Sequence, residues 1–461
     1  MFDKSVYISR RGKLKQDIGK GLLLLLGNED SSMNYKDNLY PFRQDSSFLY
    51  FFGMDQPGLA ALIDIELDKE LVFGNDLTLD DIVWTGPLPS LAEQAAAAGI
   101  TETKPFHALA TELVAARGAG RTIHFLPPYR PENALKLSAW LGFAPAAAKG
   151  HASVPLIKAV VAQRSAKSAA EVAEIEQAVD ITAAMHLAAI RGARDGMTEA
   201  ELAGVLQGIA ISSGGNLSFP TILTVNGQVL HNHYGNTVMR NGRIAICDSG
   251  AENGMHYAGD MTRTFPIGKK FTTLQRDMYN IVLGAQEAAI AALRPGILFR
   301  DVHALAAEKL VDGLKALGVM KGDPAEAVAA GAHTMVFQCG LGHMMGLDVH
   351  DMEDLGEEYV GYTEELKKSR EFGWKSLRLG RDLEPGFVVT IEPGLYLIPE
   401  LMDRWGAEKK YAEFIDYNKL QSLRDFGGIR IEEDFLITSD GSRLLGQPLA
   451  KTAAAVEALR S

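Results

Sequence analysis

RIAICDSGAENGMHYAGDMTRTFPIG, residues 243 to 268, contains two strand-like runs joined by a turn, with one aspartate in each half. In the first run the alternation of Ile244 and Ile246 marks a half-buried strand and places Asp248 on the isoleucine face. A carboxylate there is costly without a cation or hydrogen-bond donors. After the turn at Glu252-Asn253-Gly254 the chain returns through HYAGDMTRTFPIG, so a hairpin would set Asp260 beside Asp248 on the neighbouring strand. Two adjacent carboxylates repel unless a proton or a metal lies between them.

The flanking sequence repeats the theme. In VVTIEPG, Val388, Val389 and Ile391 bury a strand that Pro393-Gly394 stops directly after Glu392, leaving a carboxylate at an inward strand end. In GIRIEEDFLIT, Glu432 and Glu433 point to opposite faces, so at most one joins a buried cluster and the other is expected to be a surface acid. GLGHMMGLDVHD, residues 340 to 351, offers glycines for close backbone approach and two histidines, His343 and His350. One of the two is a candidate ligand, although a histidine in such a run also serves as a packed core residue. Four carboxylates and one imidazole suit a hard or borderline divalent ion rather than a thiolate-loving one. Four carboxylates have room for two ions, which together can bridge a water, lower its pKa and clamp a carbonyl oxygen, the requirements of hydrolysis.

The 461 residues are too many for one ordinary core, so two domains are expected. Before residue 166 the chain mixes short apolar runs (GLLLLLG, LAALIDI, ELVFG) with helical stretches such as SLAEQAAAAGI, an α/β pattern. A capping box, Ser168 with Glu171, then opens a helix with Val172, Ile175, Val179 and Thr182 on one face. A second box, Thr198 with Glu201, opens a helix whose expected buried positions are Leu202, Val205, Leu206 and Ile209. The domains are therefore set at 1–165, an α/β amino-terminal domain, and 166–461, where helices and strands share an α+β unit. Charged stretches 351–383 and 399–427 are expected as surface excursions near a site.

A net charge of -12, with no basic run carrying interleaved aromatics, argues against nucleic acid as a partner. Cys247 and Cys339 lie far apart with no CxxC spacing, which fits a reducing compartment and gives neither a disulfide framework nor a zinc knuckle. Arg10-Arg11 superficially resembles a twin-arginine export signal. The residues after it are polar, and Leu22 to Leu26 is too short for a signal core or a membrane span, so a cytoplasmic protein is expected, with that run a buried strand.

Together FRQDSSFLYFFGMDQP (42 to 57), DSGAENGMHYAGDMTRTFP (248 to 266), GLGHMMGLDVHD (340 to 351), LEPGFVVTIEPGLYL (383 to 397) and GIRIEEDFLIT (428 to 438) resemble the proline-specific aminopeptidase and prolidase branch of the pita-bread (creatinase-fold) metallopeptidases. The motifs run in family order over nearly the whole chain. The resemblance implies Asp248, Asp260, His343, Glu392 and Glu432 as ligands of two divalent metal ions, manganese first, with cobalt or zinc as alternatives. It implies that Glu392 also accepts a proton from the attacking water, that His350 stabilises the carbonyl oxygen or tetrahedral intermediate, that His231 (with His233 in reserve) faces the substrate, and that Arg430 orients nearby carboxylates or the substrate. Proline-containing peptides are the implied partners, an amino-terminal residue released from Xaa-Pro peptides is the implied reaction, and a homodimer or homotetramer is the implied assembly. The alternatives are an Xaa-Pro dipeptidase, suggested by the extended 399–427 segment, and a non-catalytic binding protein on the same fold. Two departures stand out: the interval from Asp248 to Asp260 is longer than the family's usual hairpin, implying a bulge or longer turn, and Cys339 stands where relatives commonly have a histidine. Read by itself, Cys339 is a small buried hydrophobe.

Overall fold

The run Leu22–Leu26 forms an interior strand of the first of two units in a computed structural model that describes residues 1 to 460. That unit comprises Met1–Arg164 with Met352–Tyr359. Its five strands lie in the order Glu102–Pro105, Lys69–Gly74, Ala60–Asp64, Leu22–Leu26, Ile123–Phe125. The inner three pair antiparallel, and each outer strand runs parallel to its neighbour. Leu24, Leu62, Phe73, Leu113 and Leu137 share one core cluster, while Leu23, Ile63 and Val72 are buried as well. A strand covered on both faces has no reason to alternate, which is why the leucine run is continuous.

The two adjacent arginines are structural. Arg10 Nη1 donates to the Tyr50 carbonyl and Arg11 Nη1 to that of Phe51, both at 2.9 Å. These carbonyls end the helix Ser46–Phe52, where cations satisfy the exposed acceptors and complement the dipole. Gly53 closes that helix at φ +62, and a Cβ there would meet the Tyr7 ring at 2.3 Å, so only glycine fits.

The second unit is Ser165–Asp351 together with the chain from Val360 onward. Both capping boxes form, opening helices Ala169–Gly192 and Glu199–Ser212. Val172, Ile175, Val179 and Thr182 are buried as the periodicity predicts. In the second helix the buried stripe runs through Leu202, Ala203, Leu206 and Ala210, and Val205 is exposed, because the small alanines define the packing face. Helices Thr273–Ala292 and Phe299–Ala316 complete the helical part.

Two three-stranded sheets and a strand pair carry the site. Thr262–Pro266, Ile244–Asp248 and Ile222–Thr224 form one antiparallel sheet. Val388–Ile391, Glu433–Ile437 and Ser442–Leu444 form the other. Gly394–Tyr396 pairs with Gly428–Arg430.

Candidate metal centre

The opening hairpin forms in a register that differs from the simple expectation. Asp248 pairs with Thr262, so Asp260 lies two residues before its partner, outside the strand. An extended backbone returns to the same face every two residues, which still directs Asp260 to the side of Asp248. The longer interval is a longer turn: Ala251–Glu252 pairs with Asn216–Leu217, and Glu252 bridges Ala258. Within it the Asn253 side chain accepts from the N–H groups of Met255 and Tyr257, and His256 takes φ +65.

Asp260, His343 and Glu432, all buried, hold ligand atoms within 4.8 Å of one another. His343 Nε2 lies 3.5 Å from Asp260 Oδ2 and 3.7 Å from Glu392 Oε1. Its Nδ1 faces the Met344 carbonyl at 3.0 Å; an acceptor there puts the proton on Nδ1 and leaves the Nε2 lone pair for a ligand role. Glu392 follows the strand Val388–Ile391, half-buried at the cavity edge. Asp248 accepts from Arg430 Nη2 at 2.5 Å. Glu432 accepts from Thr262 Oγ1 at 2.7 Å.

Electrostatics mark this set as incomplete without a cation. Burial, then the charges of Asp248, Asp434 and Glu392, pushes the Asp260 carboxyl well above its ordinary range. Burial, then Asp260, Glu392 and Asp248, does the same to Glu432. Glu392 is raised by burial, with His343 and Arg430 opposing. His343 is lowered by burial, with Glu392 opposing, which favours the neutral, ligating imidazole. Asp260 Oδ1 is buried with no hydrogen-bond partner. A buried carboxylate oxygen without a donor is rare, and mutually raised carboxyls are relieved by protons or by a shared cation. The oxygen-rich donor set with one imidazole fits hard or borderline divalent ions.

The five residues open onto a cavity of about 210 Å³ in the second unit, whose apolar lining includes Phe219, Pro220, Ile222 and Val349. His350 lines it, its ring 4.3 Å from that of His343 at 70°. His231 and His233 both line it and are exposed, and the Thr221 carbonyl lies 3.3 Å from His233 Nδ1. Partial desolvation within the cavity, then Arg430, lowers the His231 imidazole even though part of the side chain stays open to solvent. Arg430 is committed to the protein: beyond Asp248, its Nε donates to Thr262 Oγ1 at 3.1 Å and its Nη1 to the Tyr396 hydroxyl at 2.8 Å. Its Nε, Nη1 and Nη2 thus each have an acceptor within the protein.

Two expectations are corrected. Glu433 is 2% exposed rather than a surface acid, because its face of the strand is covered too; it accepts from Arg263 Nη2 at 2.8 Å and Lys451 Nζ at 2.7 Å. Cys339 is half-buried and lines the cavity instead of packing in the core, its Sγ 3.8 Å from the Tyr396 hydroxyl, with burial pushing the thiol up to about 12. Thr262, Tyr396, Ser376 and Arg378 were not singled out from the sequence. Thr262 had a signal, since it follows Asp260 by two residues on the same face. Arg378 and Ser376 had none beyond lying in the charged 351–383 excursion.

Residues 173–439 match metallopeptidase family M24, and residues 7–124 match the aminopeptidase P N-terminal domain. The Xaa-Pro aminopeptidase of Escherichia coli K12 is 31% identical over 98% of this chain and 96% of its own. Human Xaa-Pro dipeptidase is 29% identical over 92% of this chain and 85% of its own. Among solved structures, an E. coli aminopeptidase P variant in complex with substrate superposes with a TM-score of 0.81 at 27% identity, covering 99% of this chain and 98% of that one. A Pseudomonas aeruginosa aminopeptidase superposes equally, with a TM-score of 0.81 at 26% identity. The chain therefore belongs to metallopeptidase family M24, in its aminopeptidase P and prolidase branch, with that branch's α/β amino-terminal domain and α+β pita-bread catalytic domain.

Proposed function

We propose that this protein is an Xaa-Pro aminopeptidase that releases the amino-terminal residue from peptides with proline second, using two divalent ions held by Asp248, Asp260, His343, Glu392 and Glu432. The observation that carries it is the buried Asp260–His343–Glu432 cluster at the floor of an open cavity, with Asp260 Oδ1 lacking any partner. The similarity to Xaa-Pro aminopeptidases over nearly the full length supports the substrate class.

Proline explains why the site is built this way. An Xaa-Pro bond has no N–H and a fixed φ, so a protease that grips extended backbone loses its usual handle. When bound, the ions supply Lewis acidity and a water-derived nucleophile at neutral pH. The residues supply the rest. Glu392, its carboxyl raised, takes the proton of the attacking water and delivers it to the prolyl nitrogen, which leaves as a secondary amine. His350, beside His343, donates to the scissile carbonyl oxygen as charge develops there. His231, which lines the same cavity, faces the substrate, and Arg430 fixes Asp248.

Manganese is the proposed physiological metal, on the hard oxygen donors. A homodimer or homotetramer is the proposed assembly: the helix Leu79–Thr85 buries none of its residues, and Leu79, Val83 and Trp84 are exposed, an apolar surface that association would cover. A cytoplasmic location fits the two free cysteines. Among the described residues no helix is long and apolar enough to cross a membrane.

An Xaa-Pro dipeptidase is the second reading, favoured by Arg378. This cation lines the cavity, and its charge reaches His231, His343 and Glu392. A dipeptide carries its free carboxylate one residue beyond the scissile bond, within the compass of such a group. Mass spectrometry of products from Xaa-Pro and Xaa-Pro-Yaa substrates, with manganese and after chelation, decides. Release of the first residue from the tripeptide, abolished by chelator, is expected; cleavage confined to the dipeptide selects the second reading, and full activity without metal refutes both.

A further inference from the structure

Lys167 and Asp351 form an ion pair inside the second unit, Nζ to Oδ2 at 2.8 Å, with side chains only 2% and 1% exposed. Such pairs gain little over apolar packing, so their retention asks for another reason. The surroundings of this pair supply one. The Asp351 N–H donates to the Met344 carbonyl at 2.9 Å, the same carbonyl that lies 3.0 Å from His343 Nδ1. Asp351 directly follows His350 in the chain, so its side chain anchors one end of the loop that presents His343 and His350 to the cavity. Lys167 reaches a second ligand-bearing segment: its backbone N–H donates to the Gly386 carbonyl at 2.8 Å, in the turn that leads into Val388–Ile391 and Glu392. The fit is tight, since a Cβ on Gly346 would stand 2.6 Å from Asp351 Oδ2 and 3.0 Å from Lys167 Cε.

We propose that the buried Lys167–Asp351 pair is a positioning device that sets His343 and His350 against Glu392 at the cavity edge. Neither residue lines the cavity; both act through the groups they hold. The proposal rests on the metallopeptidase function proposed above, and its test separates the two.

The test compares the full-length parent with K167M/D351L, whose apolar pair removes both charges and tolerates burial. Melting temperature, Mn²⁺ affinity by isothermal titration calorimetry, and kcat and KM on an Xaa-Pro-Yaa peptide are measured on the same preparations. The expected result is a double variant that melts close to the parent, binds Mn²⁺ about tenfold more weakly and loses about tenfold or more in kcat with little change in KM. Parental Mn²⁺ affinity and kcat in a folded double variant overturn the proposal and leave the pair a purely structural contact. If the double variant does not fold, K167R takes its place: it keeps the charge, but its larger planar head displaces Asp351 from the space beside Gly346, and the same two outcomes apply. A parent that binds Mn²⁺ yet cleaves no Xaa-Pro peptide defeats the functional proposal alone, because the Mn²⁺ affinities still decide the positioning role.

Discussion

Two histidines behind the cavity wall make acid a sharp probe of the catalytic unit. His303, on the helix Phe299–Ala316, and His333, on the short turn Ala332–Met335, are 1% and 0% exposed. Both rings meet Trp374, at 4.8 and 5.5 Å, and Trp374 opens the turn from which Ser376 and Arg378 line the cavity. Burial, with His333 adding, pushes His303 down to about 3. Burial pushes His333 down to about 4, with the Val328 carbonyl opposing. In the unfolded chain both titrate near the ordinary value of about 6.5. Below that pH the unfolded state takes up protons that the folded state refuses. The stability is therefore complete above about 6.5 and lost as pH falls toward the folded values. Each pH unit in that window costs about 1.4 kcal/mol per histidine, so the pair loses about 4 kcal/mol by about pH 5. In metal-free protein the raised carboxyls of Asp260, Glu392 and Glu432 act with opposite sign, which masks the effect in the parent alone. The comparison is thus parent against H303L/H333L, both chelated, by urea unfolding at several pH values. The parent's margin over the double variant should shrink by about 4 kcal/mol between about pH 7.5 and about pH 5. A margin constant to within about 1 kcal/mol across that range refutes the reasoning.

Removing one carboxylate from the centre should stabilise the metal-free protein. Glu432→Gln keeps an acceptor for Thr262 and relieves repulsion, so its chelated form is expected to melt above the parent while gaining less from Mn²⁺; calorimetric melting below the parent contradicts this. The Cys339 thiol, held up at about 12, should react with iodoacetamide at neutral pH at least about tenfold more slowly than glutathione, read by mass spectrometry of the labelled peptide. An equal rate contradicts a thiol held protonated by its surroundings. Trp84→Ser, at a side chain 86% exposed, should lower the mass seen by light scattering without lowering the melting temperature of the chain; an unchanged mass removes that helix from the proposed interface.

The inward placement of Asp248 and Glu392 was legible in the sequence because each sits at a strand end whose neighbours announce burial: Ile244 and Ile246 for Asp248, Val388 to Ile391 for Glu392. Periodicity of two decides the face of a side chain, and the face decides whether a charge needs a partner. The same logic failed at Glu433, since it assumes one wet face and this strand has none. The register of Asp260 was not legible, because turn residues 253 to 257 fold on themselves through Asn253, a contact that pattern does not encode. The capping boxes at Ser168 and Thr198 were local and came through intact. Arg378, Tyr396 and the Lys167–Asp351 pair depend on chain segments distant in sequence meeting in space. No single window carries that information.

The central claim is that five side chains hold two divalent ions. It is tested most directly by anomalous diffraction at the manganese edge from crystals of the Mn²⁺-loaded protein. Two peaks are expected about 3.5–4 Å apart, ligated by Asp248, Asp260, His343, Glu392 and Glu432, with Asp260 Oδ1 now bound. A single peak, none, or ions held by other residues would contradict the account.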